Sequence, residues 1–528
     1  MAIATTTVLV VGAGPAGLLT AAELQRRGVE CLLIDAHERP LDWDRATVVH
    51  PRSLEILDTL GLSEPLLSAG VKQRRACIHS DGAVLGEIDL AQCGSRYPFN
   101  IGISEEVTEA LLTSYLVQHG GTVTRATKLV GLQAQDDGVL ATIEHAGVSS
   151  QVFALWVVGC DGHHSTVRTL AGIEQEGHDI NQPWAVFDAG ISDWPASFEA
   201  NYAYLDPIPV ILTALPDQRW RVYLRPSAPE SDLVADALST LHRYLPESRF
   251  IDVSHPTRFD CQTKVAQRFR AGRVLLAGDA AHTCSPAQGH GMNSGLQDAY
   301  NLGWKLALVC HGHCSDKLLD SYHAERRPVA DQVMASGDAA ESAQLVSGDK
   351  ERKDRDKAIR TAFADPATRH HEAVAEAELD IDYAGSPIVM GDPHPAVWPG
   401  QRLSDQIAIR DVVGGPGRLH HYTRRRGHTA LLIGGASTPP AELAQTRRDM
   451  AELADRSIID IVISITANAV EPGASDPHVD AYLDPATAEK LGITNMVLLV
   501  VRSDGHIGLR AERGHAQALA DYLAQLRA

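Results

Sequence analysis

Apolar positions along the chain fall into runs of different period. Val8-Leu9-Val10-Val11 is continuously apolar, as a strand buried on both faces requires, and Leu18 to Gln25 then spaces its apolar residues helically. Gly28 closes that helix, and Cys31-Leu32-Leu33-Ile34 predicts a second strand. Trp156-Val157-Val158 and Val274-Leu275-Leu276 are further buried-strand runs, and Leu296 to Ala307 is again helical in period. Asn201 to Leu205 and Trp220 to Arg225 alternate in the strand-like manner, with Pro207, Pro209 and Pro216 as punctuation. Near the C-terminus, Thr429 to Gly434 and Val497 to Val501 read as strands, and Ser503-Asp504-Gly505 is a hairpin signal. Residues 336–392 are polar, and Lys350 to Lys357 mixes both charge signs, the pattern of a solvated helix face.

Composition narrows the class. At 528 residues the chain is long enough for three or four domains of roughly 150 residues, or fewer large ones. Its formal net charge of −20 argues against nucleic acid as a partner. The eight cysteines stand singly, which suits a reducing cytoplasm and no disulfide framework. The N-terminus lacks the basic and long apolar segments of a signal peptide. The run Met496 to Val501 is of strand length, far from the ~18 apolar residues of a membrane span. No membrane association is therefore expected.

Candidate chemistry begins at Gly12-Ala13-Gly14-Pro15-Ala16-Gly17, which joins the first strand to its helix. In such a turn Gly12 makes the bend, Gly14 lets the backbone approach a pyrophosphate, and Gly17 lets helix and strand pack closely. Free N–H groups at the helix start then face the anion. Asp35, ending the second strand, can accept both hydroxyls of an adenosine ribose. Alone, this fingerprint leaves FAD and NAD both open. Asp161-Gly162 follows the strand 156–159, with Ser165 as a helix N-cap and Arg168 in the next turn. Gly278-Asp279 ends the strand after Arg273, and the chain continues through Ser285-Pro286-Ala287-Gln288-Gly289-His290-Gly291-Met292-Asn293 into a helix. Asp279 can bind a sugar hydroxyl, and the turn offers backbone N–H groups and a positive helix end to an electron-rich oxygen.

In this order the three elements, followed by Tyr322-His323-Ala324-Glu325-Arg326-Arg327-Pro328, resemble the FAD-dependent aromatic hydroxylases of the p-hydroxybenzoate hydroxylase class. The resemblance implies an α/β fold with a Rossmann-like FAD-binding domain (1–73, 101–179 and 266–335) interleaved with a mainly β substrate domain (74–100 and 180–265). A helical connector (336–392) would follow. Residues 393–528 resemble the thioredoxin-like domain that ends many phenol-type hydroxylases; no cysteine follows Cys314, so dithiol chemistry there is excluded and a structural or dimer-forming role is the default. The resemblance assigns to FAD the residues Gly12, Gly14, Pro15, Ala16, Gly17, Asp35, Arg45, Glu105, Leu129, Asp161, Gly162, Arg168, Gly278, Asp279, Pro286, Gly289, Gly291, Met292 and Asn293. The Asp161-Gly162 segment with Arg168 would also meet a transiently bound NADPH or NADH.

The implied reaction is NAD(P)H- and O2-dependent hydroxylation of a phenolic ring through a flavin C4a-hydroperoxide. Tyr202, Tyr204, Arg221 and Tyr223 are the candidate substrate contacts. Two positions depart from the family pattern: His290 replaces a neutral amide and is a candidate titrating group or proton relay, and Glu105 stands where a glutamine is usual. Two other readings stay open: a monooxygenase of the same fold that inactivates or ring-opens a polycyclic compound, and an FAD-binding regulatory module without turnover. Cys310-His311-Gly312-His313-Cys314 is too compact to converge on a metal, so no metal is expected.

Overall fold

In the computed structural model, residues 3–41, 46–412, 415–467 and 478–528 are described. Two compact units emerge: Met1–Ala22, Glu30–Ala299 and Arg327–Asp380 form one, and Glu23–Val29, Tyr300–Arg326 and Ile381–Ala528 the other.

The first unit is built on a sheet whose central strand, Ala4–Val11, has Cys31–Ile34 on one side and Val148–Gly159 on the other, both parallel to it. Val274–Leu276 extends the sheet beyond Val148–Gly159, again in parallel. Val8, Leu9, Val10, Val157, Val158 and Leu275 are fully buried, which explains why these strands read as unbroken apolar runs. Register matters more for function. Val11 is opposite both Ile34 and Gly159, and Gly159 is opposite Leu276. The turns after all four strands therefore open along one edge of the sheet.

A second sheet of the same unit runs in the order Phe250–Phe259, Trp184–Ile191, Arg219–Leu224, Val210–Leu215, Ala200–Tyr204, Arg75–Ser80 and Ala83–Asp89. Alternation divides its residues between two faces. One face packs Phe187, Tyr202, Tyr204, Leu212, Trp220 and Val222 against the helix Leu233–Leu241. The other carries Trp184, Val186 and Tyr223, with Ile211, Phe259, Cys261 and Ala287 against them. The polar stretch after 336 is helical through Gln344, then in Asp349–Ala364 and Pro366–Glu376. Ala373, Ala377 and Leu379 bury against Ile88, Leu90 and Cys93 at the hairpin edge of this second sheet.

The second unit holds an eight-stranded sheet. Its centre pairs His428–Gly434 in parallel with Ile459–Thr466 and antiparallel with Val497–Val501, which in turn pairs antiparallel with Ile507–Ala511. Ala430, Leu432, Leu498 and Val500 point toward the helices Pro440–Leu453 and His515–Arg527, through Leu443, Met450, Leu519 and Leu523. Leu431, Ile433, Leu499 and Val501 line the other face with Leu403, Leu419 and Leu483. Gly505, at φ +83°, makes the hairpin turn. Among the described residues no helix is long and apolar enough to cross a membrane.

Candidate active site

Strand ends bring the glycine and aspartate motifs together, and their glycines have different reasons to lack a side chain. Gly12 takes φ +100°, and a Cβ there would strike the carbonyl of Cys160. A Cβ on Gly17 would strike the carbonyl of Gly12, so helix and strand meet only because both are glycine. Gly14 has no such constraint. Its nearest neighbour would be Glu109 Oε1 at 3.8 Å, so the protein itself leaves room there. Gly291 is similar, with Cys284 Sγ at 3.9 Å. Backbone left open at two helix starts along this edge fits a ligand carrying phosphate and an electron-rich ring. Asp35 completes the fit at the second strand: its carboxylate accepts the N–H groups of Ala13 at 2.7 Å and His37 at 2.8 Å, and stays at the site's edge.

Other motif residues hold the turns in place. Asp161 accepts from Ser165 Oγ at 2.5 Å and from the N–H groups of Thr166 and Val167 at 2.7 and 3.0 Å, capping the helix Thr166–Leu170. Arg168 is buried and donates to the carbonyls of Ala280 and His163, each at 2.8 Å, so it ties the Asp161-Gly162 turn to the Gly278-Asp279 turn. Gly162 takes φ +77° with open space around it. Gly278 takes φ +60° and packs on Ala16, while Asp279 stays exposed. Asn293 is fully buried: its amide donates to the carbonyls of Val48 and Gly289 and accepts from His50 N–H, each at 2.9 Å. Pro286 begins the short turn capped by Ser285, and Gly289 ends it in the left-handed region. Met292 follows in the first turn of the helix His290–Cys310, and Pro15 opens the helix after the first glycine turn. Glu105 accepts from Ala46 N–H at 3.3 Å; Arg45 lies outside the described residues. Leu129 is buried in the strand Thr127–Ala134.

The four substrate candidates separate. Tyr202 and Tyr204 point into the cluster under Leu233–Leu241, the face opposite Ala287, and burial pushes their phenols up, Tyr202 to about 12. Arg221 is held by Asp188 in a two-pronged pair at 2.7 and 2.9 Å. Tyr223, on the same face of its strand as Arg221, packs with Ala287, and its hydroxyl lies 3.2 Å from that of Thr47. His290 also differs from the titrating group expected of it. Burial pushes its pKa down to about 4, with Glu378 opposing, so its ring is neutral at pH 7.

Sequence reasoning passed over several residues. Asp298, fully buried, accepts from Gly278 N–H at 3.0 Å and lies 2.6 Å from His282 Nε2, fixing the Gly278-Asp279 turn. Glu341 gathers Ser285, Arg225 and the Trp184 indole N–H (3.0 Å), and Arg225 stacks over the Trp184 ring at 4.1 Å. Burial lowers the Arg225 pKa to about 10. Asp298 stands at helical spacing beyond Ser294, a weak signal at best; residues 184, 225, 285 and 341 are too far apart in sequence to form any motif.

The comparisons agree with this geometry. The model of the FAD binding domain family matches residues 5–336, more than half of the chain. The chain is 31% identical to 6-methylpretetramide 4-monooxygenase of Streptomyces rimosus, covering 98% of this chain and 93% of that one. It is 34% identical to pentachlorophenol 4-monooxygenase of Sphingobium chlorophenolicum, over 62% of this chain and 63% of that one. Among solved structures, the anhydrotetracycline hydroxylase from Streptomyces rimosus superposes with a TM-score of 0.76 at 28% identity, covering 99% of both chains. With the family model, the relatives and the strand-end geometry in agreement, the chain belongs to the FAD binding domain family of FAD-dependent aromatic monooxygenases.

Proposed function

We propose that this protein hydroxylates a fused polycyclic phenol, using FAD, NAD(P)H and O2. The observation that carries the reading is the open backbone at Gly14 and Gly291 on the same edge as Asp35 and Asp279, together with an apolar face formed by Trp184, Val186, Tyr223 and Ala287. Relatives that match nearly the whole chain, those named for 6-methylpretetramide and anhydrotetracycline, support a polycyclic substrate over a single ring.

Gly12, Gly14, Gly17 and Asp35 would hold the ADP half of FAD, with Asp279 on its ribityl side and the amides of Gly291 and Met292 toward the electron-rich edge of the ring. When bound, FAD reduced by NAD(P)H supplies the activation of O2. The protein supplies orientation and charge. A phenol with a pKa of about 10 is a poor nucleophile until its oxygen carries negative charge. The paired hydroxyls of Tyr223 and Thr47 can donate to that oxygen and favour the anion. Trp184, stiffened by Arg225 and Glu341, gives the rings a fixed apolar wall.

The second unit supports a thioredoxin-like reading: strand, helix, strand, a short further strand Ala481–Leu483, helix, two antiparallel strands and a last helix, with Ile459–Thr466, His428–Gly434, Val497–Val501 and Ile507–Ala511 adjacent in that order. Residues 393–528 hold no cysteine, so this part of the unit has a structural or self-associating role, which light scattering of the purified protein tests directly. The eight cysteines form no disulfide among the described residues, which favours a cytoplasmic location. For the reaction itself, the test is aerobic NADH and NADPH oxidation with a panel of simple and polycyclic phenols, with product masses. Substrate-stimulated oxidation and a product heavier by one oxygen support the proposal. Ring-opened products would point to the ring-cleaving alternative, and inertness to reductant to a non-catalytic FAD module.

A further inference from the structure

His50, His290 and Glu378 come from distant parts of the sequence: the start of the helix Pro51–Asp58, the start of the helix His290–Cys310, and the segment after the helix Pro366–Glu376. All three side chains are buried, at 0%, 7% and 3% exposure, and one ligand atom from each lies within 4.8 Å of the other two. Among the described residues, neither ring nitrogen of His50 and not the Nε2 of His290 has a hydrogen-bond partner. A buried polar nitrogen left unbonded costs on the order of 1–3 kcal/mol, so such nitrogens call for an explanation. The backbone is unusual at the third member. Glu378 takes φ +55°, a left-handed conformation uncommon for a side chain of this kind, while its carboxylate is turned inward.

We propose that His50, His290 and Glu378 form a buried site for one first-row divalent cation of the zinc type. Two imidazoles and one carboxylate are the donors such ions prefer, whereas calcium and magnesium need oxygen ligands. Gln297 Nε2 donates to Glu378 Oε2 at 2.8 Å, and Asn293 accepts from the backbone N–H of His50 at 2.9 Å; both restrain ligand-bearing residues from outside. The opposing charge comes from Glu378, with Glu376 also facing His50. His50 Nδ1 and Glu378 Oε2 stand 3.7 Å apart, close to the ~3.4 Å that two ligands at about 2.1 Å from a tetrahedral ion require. Gly289 would bring a Cβ to 3.6 Å from His50 Nε2, so the turn backbone covers the cluster. An ion here would fasten the start of the His290–Cys310 helix to the segment that follows the helix Pro366–Glu376.

The test uses the FAD-loaded full chain, stripped with a chelator, desalted and titrated with Co2+ and then Zn2+. Metal analysis after a second desalting gives the stoichiometry, and ligand-field bands in the difference spectrum report the donors. The expected result is one ion per chain, with Zn2+ displacing Co2+, and loss of that binding in His50→Phe and in Glu378→Gln. Gln297→Ala should bind about 10- to 100-fold more weakly. Circular dichroism verifies that each variant is folded; if His50→Phe is not, the near-isosteric Glu378→Gln decides. Absence of a retained ion, or retention unchanged in Glu378→Gln as from exposed histidines elsewhere, overturns the proposal.

Discussion

A Cβ at Gly17 would run into the carbonyl of Gly12, whereas one at Gly14 would meet nothing nearer than Glu109 Oε1 at 3.8 Å. Substitution at the two glycines should therefore fail in different ways. Gly17→Val should lose folded protein, because backbone cannot yield there. Gly14→Val should fold with an unchanged thermal midpoint as apoprotein yet emerge colourless from gel filtration, its FAD affinity down by more than about tenfold, or about 1.4 kcal/mol. A Gly14→Val protein that stays yellow would contradict the assignment of this turn to the cofactor. Tyr223 tests the substrate face in the same way. Tyr223→Phe removes a hydroxyl that contacts Thr47, so FAD retention should persist while hydroxylated product per NAD(P)H consumed falls, by about tenfold if a single hydrogen bond of ~1.4 kcal/mol is at stake. An unchanged product yield would remove Tyr223 from the site.

At the level of elements, the turns at the strand ends depend on buried polar residues that hold backbone. Asn293→Ala leaves the carbonyls of Val48 and Gly289 and the N–H of His50 without their shared amide. It should cost about 1–3 kcal/mol in urea unfolding and speed FAD release; a variant as stable as the parent would show that the amide does not hold the turn. The same elements explain how much of the fold is legible in the sequence. The runs Val8–Val11, Cys31–Ile34, Trp156–Val158 and Val274–Leu276 are legible because strands buried on both faces must be continuously apolar, and glycines at their ends must bend the chain. Alternation in Ala200–Tyr204 and Arg219–Leu224 is legible too, but a period of two does not say which face meets which neighbour. Tyr202 and Tyr204 thus go to the side of the helix Leu233–Leu241, and Tyr223 to the side of Ala287. Asp161 and Asn293 show a further limit: a polar residue in a motif reads the same whether it holds a ligand or holds the turn that holds the ligand. Trp184, Arg225, Ser285 and Glu341 carry no sequence signal, because only the fold brings them together.

At the scale of the molecule, the second unit contains a buried ionic group that makes stability depend on acid. Glu325, Lys305, Arg502 and Asp504 are buried, with Glu325 accepting from Lys305 at 2.7 Å and from Arg502 at 2.7 and 2.8 Å. Burial alone would raise the Glu325 pKa, but Arg502 and Lys305 outweigh it and hold the carboxyl down at about 2, against an ordinary 4.5. A depressed acid pKa stabilises the folded state above the ordinary value. That contribution should fade as pH falls from 4.5 toward about 2, read as a declining urea midpoint. Glu325→Leu takes the only carboxylate partner shown for Lys305 among the described residues and leaves Arg502 with Asp504 alone, and should cost about 3–5 kcal/mol at neutral pH, with a weaker acid dependence. A neutral outcome would mean that water reaches the group. None of this touches the chemistry, which rests on one claim: that the edge gathering Gly14, Asp35, Asp279 and Gly291 presents FAD to a polycyclic phenol held on the face of Trp184 and Tyr223. The most direct measurement is turnover of the FAD-loaded protein under 18O2 with NAD(P)H and polycyclic phenols. The account predicts a hydroxylated product carrying one labelled oxygen; NAD(P)H consumed without labelled product from any of the phenols would contradict it.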